Sequence, residues 1–139
     1  MTTTDMSDMA TERPAVDRAA VLFADARALH SAALARLEAG DIRDAAEKAW
    51  CATKRATDGL IVARTGEEPA RSPVTTRELQ RLAADDPGID RLSDRYHVVR
   101  DTLHGDCFYS GLCEPLDRTE RRIRDTVDYI RDAEAFGAG

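Results

Sequence analysis

Apolar residues in this chain return every three or four positions along several stretches, and nowhere do they alternate with polar ones for long enough to build a strand. That spacing places them on one face of a helix, so the chain is expected to be all-α. From Pro14 the face reads Val16, Ala19, Ala20, Phe23, Ala26, Leu29, Ala33, Leu34 and Leu37, and Gly40 stops it. Asp41 offers an N-cap for a second helix carrying Ile42, Ala45, Ala46, Ala49, Trp50, Thr53, Ala56, Leu60 and Ala63. With only Gly40 and Asp41 between them, the two helices should form an antiparallel hairpin.

Gly66, Pro69 and Pro73 mark a loop. Thr75 and Glu78 then read as a T-x-x-E capping box opening a short helix through Leu79 and Leu82. After Asp85, Asp86, Pro87 and Gly88, a further helix carries Ile89, Leu92, Tyr96, Val99 and Leu103, with Gly105 as its expected end. Gly105 to Cys113 reads as a loop with Phe108 and Tyr109 buried. Glu114 and Pro115 lead into a last helix with the stripe Leu116, Ile123, Val127, Ile130 and Phe136. The expected architecture is an antiparallel bundle of four principal helices plus one short helix. At 139 residues this is one domain, expected over residues 14–139 behind a disordered leader, 1–13.

The charge balance narrows the partners. Asp and Glu total 26 against 20 Lys and Arg, a net charge of −6, so a broad attraction to a phosphate backbone is not expected. The longest apolar run, Ala19 to Ala24, falls far short of the ~20 residues that cross a bilayer, and no membrane association is expected. Three cysteines cannot all pair within one chain, and no charged-then-apolar leader precedes the first helix. The expected compartment is therefore the cytoplasm. Cys107 and Cys113 are expected there as two free thiols rather than as a redox pair, and Cys51 as a packed one.

Proton-transfer groups and fixed cations gather between Arg91 and Tyr109, which holds His97, His104, Arg95 and Arg100. Arg100 and His104 stand four apart on a helix, and His97 and Asp101 flank them. Such a set can run acid–base chemistry: His takes or gives a proton, Arg stabilises charge on a phosphate, and Asp101 orients the His. The structural account is that His104 closes the helix beside Gly105 while Arg100 pairs with Asp101 or another surface carboxylate. His97, Asp101, His104 and Cys107 also follow one another at steps of four, three and three, but no CxxC or HExxH pairing accompanies them. Neither a metal nor a cofactor is expected. Lys48 and Lys54 on the second helix, Arg95, and Tyr109 are the candidate binding residues, the lysines reading equally as a solvated, ion-paired face.

Asp44 to Trp50 with Ala52 and Lys54, taken together with Leu103-His104 and Phe108-Tyr109, resembles the small prokaryotic HEPN proteins, in particular their PaREP-like branch. The resemblance spans Ala15 to Ala135. It implies a helical bundle, commonly dimeric, in a family of RNase toxins, partners of small nucleotidyltransferases, and modules without established activity. In the family's RNases roughly four to six residues stand between an Arg and the His that follows it, and two such sites face each other across a dimer. Here only Asp101, Thr102 and Leu103 separate Arg100 from His104, one residue short. Arg91 and His97 meet the count, but Leu92 follows that Arg where the family has a polar residue. The resemblance thus implies a nucleotide- or RNA-associated, non-catalytic homodimeric module, possible partners being a nucleotidyltransferase and RNA or a nucleotide, in a toxin–antitoxin or defence setting. Its alternative is a metal-independent endoribonuclease using His104 and Arg100.

Overall fold

The computed structural model describes the backbone of residues 5–139 and the side chains of residues 13–139. The described part is all-helical, with no strand: α1 Asp5–Glu38, α2 Ile42–Thr65, α3 Ser72–Ala83, α4 Pro87–Val99 and α5 Leu116–Ala138. No described helix is long and apolar enough to cross a membrane. Residues 1–4 of the expected leader lie outside the described residues. From Asp5 onward the backbone is helical, so α1 begins nine positions before the expected start at Pro14, which sits inside it. Asp5 to Glu12 contains no glycine or proline to forbid this, and Pro14 removes one ladder hydrogen bond.

The hairpin between α1 and α2 forms through the residues expected to make it. Gly40 takes φ +83°, a left-handed conformation that its missing Cβ permits. The Asp41 carboxylate then accepts the Asp44 N–H at 3.1 Å. That bond, with Arg36 beside it, holds the Asp41 carboxyl below its ordinary range.

α2 is the centre of the molecule and touches every other element. Its residues from Ala56 to Val62 are buried without interruption, as required of a helix surrounded on all sides. Small side chains make that possible: a Cβ at Gly59 would lie 3.0 Å from the Phe23 ring of α1. The polar groups on this buried helix find partners. Thr57 Oγ1 meets the Tyr129 hydroxyl of α5 at 2.6 Å. Asp58 accepts from Lys54 at 2.9 Å and from Thr75 Oγ1 of α3 at 2.7 Å. His30 of α1 meets the Ile123 carbonyl of α5 at 3.1 Å.

Three local expectations are corrected. Thr75 does not cap α3, which starts earlier, at Ser72, with Pro73 in its first turn; the hydroxyl is taken by Asp58, 17 residues away. Leu116 and Val127 are exposed, and the buried face of α5 instead runs through Thr119, Ile123, Thr126, Tyr129, Ile130 and Ala133. On α1, Val16 and Ala20 face outward while Leu22 is buried. In each case a hydroxyl that satisfies itself locally or across an interface occupies a core position that a hydrophobic count overlooks, or a short apolar side chain is left at the surface.

Candidate functional site

The helix begun by α4 does not end at Gly105. It continues as a π-helix from Arg100 to Tyr109, with the Ser110 N–H bonded to the Gly105 carbonyl at 3.1 Å. Gly105 has no positive φ, and a glycine inside a helix costs only about 1 kcal/mol. Burial of Leu103 and Cys107 against Ala33, Ala45, Ala46, Ala49 and Ile123 offsets that cost. Arg43 of α2 closes the end, donating to the Phe108 carbonyl at 2.6 and 3.1 Å and to the Tyr109 carbonyl at 3.3 Å. Gly111, at φ +72°, then reverses the chain and returns Cys113 to Cys107, with which it forms a disulfide.

This disulfide corrects the expectation of two free thiols at Cys107 and Cys113. The glycine-containing loop between the two cysteines left a pair open, and the expected compartment decided against it. The free thiols were expected from the cytoplasmic compartment, and that step does not hold for this pair. Cys51 is the free thiol, half-buried; burial first, then the neighbouring Glu47, push its pKa up.

His104 sits on the π-helix facing α2. Its Nδ1 lies 2.8 and 3.0 Å from the two carboxylate oxygens of Glu47. A carboxylate only accepts, so the proton is on Nδ1, and in the neutral ring Nε2 carries the free lone pair. That nitrogen makes no hydrogen bond to the described residues, and the side chain is 36 % exposed. Three aromatic rings surround the imidazole, with centroid distances of 5.8 Å to Trp50, 6.3 Å to Phe108 in a stacked arrangement, and 5.5 Å to Tyr109 edge-on. Trp50 also borders a cleft of ≈ 400 Å³ lined by Ser72, Pro73, Thr76, Tyr96 and Arg100.

The remaining candidates are placed apart from this dyad. Arg100 pairs with Asp101 at 3.1 Å, so Asp101 faces the guanidinium, and the carboxylate that orients His104 is Glu47. His97 donates from Nδ1 to the Ser93 carbonyl of its own helix at 2.7 Å and lies edge-on to Tyr96. The row His97, Asp101, His104, Cys107 does not converge, and no group of three metal-ligating side chains occurs among the described residues. Lys48 pairs with Asp44 at 3.1 Å, Lys54 with Asp58, and Arg95 with Asp132 at 2.7 Å while lying over the Tyr129 ring. Tyr109, expected to be buried, is 73 % exposed, because the π-helix carries it past the core.

Glu47 is the residue that reading the sequence missed. Its signal was a carboxylate among the alanines of α2, one turn before Trp50, on a helix otherwise selected for burial. Replacing Glu47 with Ala is expected to free the His104 ring: its imidazole NMR signals should lose the single Nδ1–H tautomer and show exchange between both forms. Retention of the Nδ1–H tautomer in that variant would remove Glu47 from its orienting role. No protein-family model, curated protein or solved structure matches the chain.

Proposed function

We propose that the chain is a HEPN-like bundle of four principal helices plus one short helix, and that it acts as a nucleotide- or RNA-associated interaction module working as a homodimer. The observation that carries this reading is the apolar surface at the end of the π-helix. Tyr109, Leu112 and Leu116 are 73 %, 64 % and 54 % exposed within eight positions of chain. Large apolar side chains gathered so closely on a surface mark an interaction site. The pairing of Lys48, Lys54 and Arg95 with carboxylates supports a protein-facing role over broad phosphate binding. A second copy is the first partner, and a nucleotidyltransferase in a cytoplasmic toxin–antitoxin or defence setting is the further one that the resemblance implies.

A specific observation favours a second reading, metal-independent RNA cleavage. Glu47 holds His104 in the tautomer whose Nε2 can accept a proton from a ribose 2′-OH. Arg100, four positions earlier, would stabilise the phosphate after leaving Asp101. The shortened Arg-to-His spacing and the Arg100–Asp101 pair place this reading second.

Light scattering separates the parts of the proposal. At micromolar concentration the protein is expected at twice the mass of the chain, and a Tyr109→Ser, Leu112→Ser double variant at the mass of one chain. A wild-type monomer across that range would overturn the dimer. RNA incubated with EDTA is expected to survive both the wild type and His104→Ala; cleavage by the wild type alone would promote the enzyme reading.

A further inference from the structure

We propose that the Cys107–Cys113 disulfide is a redox latch: oxidised, it holds Phe108 and Tyr109 as walls of the His104 site, and reduction by a dithiol releases them. The bonded pair encloses only Phe108 to Leu112, since the two cysteines are six positions apart. Within that short loop lie both π-helix aromatics that touch His104. The walls and the bond are therefore one mechanical unit.

The ties on the loop are few. Cys107 is anchored in the core beside Leu103 and the alanines of α1 and α2, and Cys113 beside Ile123. Thr119 Oγ1 donates to the Cys113 carbonyl at 2.6 Å, and Arg43 holds the carbonyls of Phe108 and Tyr109. The exposed tip is otherwise joined back by three backbone bonds local to the turn, Ser110 N–H to the Gly105 carbonyl and Gly111 N–H to the Cys107 carbonyl, each at 3.1 Å, and Leu112 N–H to the Asp106 carbonyl at 2.7 Å, each of modest net strength. With the disulfide broken no covalent tie closes the loop, and Phe108 and Tyr109 are held by Arg43 and by the backbone bonds of the π-helix end alone. Opening of the loop then takes from the His104 ring two of its three aromatic neighbours.

The chemistry balances as thiol–disulfide exchange. A thiolate of a dithiol reductant attacks one sulfur, forming a mixed disulfide and freeing the other cysteine as a thiolate, which takes a proton. The reductant's second thiol then displaces the remaining cysteine, which is also protonated, and the reductant leaves as its own disulfide, two electrons having passed to the protein. Both cysteines are buried, at 0 % and 4 % exposure, so attack requires local opening of the loop. That confines the reaction to small dithiols or to a protein dithiol that grips the exposed tip. Cys51, whose thiol is pushed up by burial, stays mostly protonated and out of the exchange.

This inference does not rest on the RNA reading; the dimer proposed above would cover Tyr109 and Leu112, so reduction and cleavage are read through its dissociated chains. The test is a titration of the full chain in mixtures of oxidised and reduced dithiothreitol. Thiols are counted by alkylation in denaturant, Trp50 is followed by fluorescence and His104 by its imidazole NMR signals. One alkylated cysteine is expected in the oxidised protein and three in the reduced one. The Trp50 and His104 signals should move with the thiol count, and chymotryptic cleavage at Phe108 and Tyr109 should accelerate by about tenfold or more on reduction. A Cys107→Ser, Cys113→Ser variant should show the reduced spectrum and ignore the reductant; because the titration uses the wild type, the result stands even where that variant does not fold. Three thiols after full incubation with oxidised dithiothreitol, or complete reduction that leaves the Trp50 and His104 signals and the cleavage rate unchanged, would overturn the latch.

Discussion

Leu103→Ala is expected to cost about 3–5 kcal/mol of folding stability, and with it roughly 10 °C or more of melting temperature. Leu103 is fully buried on the π-helix, in a cluster whose buried α1 and α2 members are Ala33, Ala45, Ala46 and Ala49, with Leu37, Ile42 and Val99 only at its partly buried edge. Alanines have no side chain to swing into the space, and Cys107 and Cys113 beside them are tied to each other. The cavity therefore stays open, which puts the cost at the upper end of the range for a lost leucine. The control is Leu112→Ala, 64 % exposed, which should change stability by no more than about 0.5 kcal/mol. Urea unfolding of both variants decides the matter. A loss below about 1 kcal/mol for Leu103→Ala would mean that the π-helix is not docked as described, and that His104 is not held against α2 by the core beneath it.

The docking of that segment is also where reading the sequence stops short of the structure. Features set by neighbours in the chain were legible: Gly40 and Asp41 turn α1 into α2 as expected, and Ile89, Leu92, Tyr96 and Leu103 are all buried on one continuous face. Features set by distant contacts were not. Gly105 looks like a stop because glycine lowers helix propensity, yet Leu103 and Cys107 on either side of it gain more from burial than the glycine loses. Thr75 and Glu78 have the spacing of a capping box, but a buried carboxylate 17 residues earlier claims the hydroxyl. The candidate site follows the same division. His104 and Arg100 were found because they stand four apart on one helix, and Asp101 because it flanks them; Glu47 stands 57 residues from His104 and only the packing of the π-helix on α2 brings them together. Likewise the disulfide depends on the reversal at Gly111, which residue type alone does not announce.

Lys54 was a candidate ligand for phosphate, and the expected behaviour of its partner shows why the structure gives it another role. Asp58 is buried, and its carboxylate is shared between Lys54 Nζ and Thr75 Oγ1, so it joins α2 to the first turns of α3. Asp58→Ala leaves the buried Thr75 hydroxyl only the distant Arg71 carbonyl, at 3.4 Å, as acceptor and strands the ammonium, whose side chain is only 26 % exposed. The expected cost is about 3 kcal/mol, below the full penalty of a broken buried pair because Lys54 can still turn toward water. Asp58→Asn keeps an acceptor for Thr75 and loses only the charge, so it should cost about half as much. Lys54→Met leaves the carboxylate with a single donor, and combining it with Asp58→Leu should cost less than the two changes summed, since each removes what the other would strand. The loss should be local before it is global: amide exchange along Ser72–Ala83 should rise first, because Thr75 is the buried polar anchor of that short helix. With α3 loosened, the cleft that Ser72, Pro73 and Thr76 share with Trp50 and Arg100 should widen and brighten Trp50 exposure to a soluble quencher. If Asp58→Ala unfolds within about 0.5 kcal/mol of the wild type and α3 exchange is unchanged, the buried pair is not what holds α3, and Lys54 returns to the set of cations free to meet a ligand.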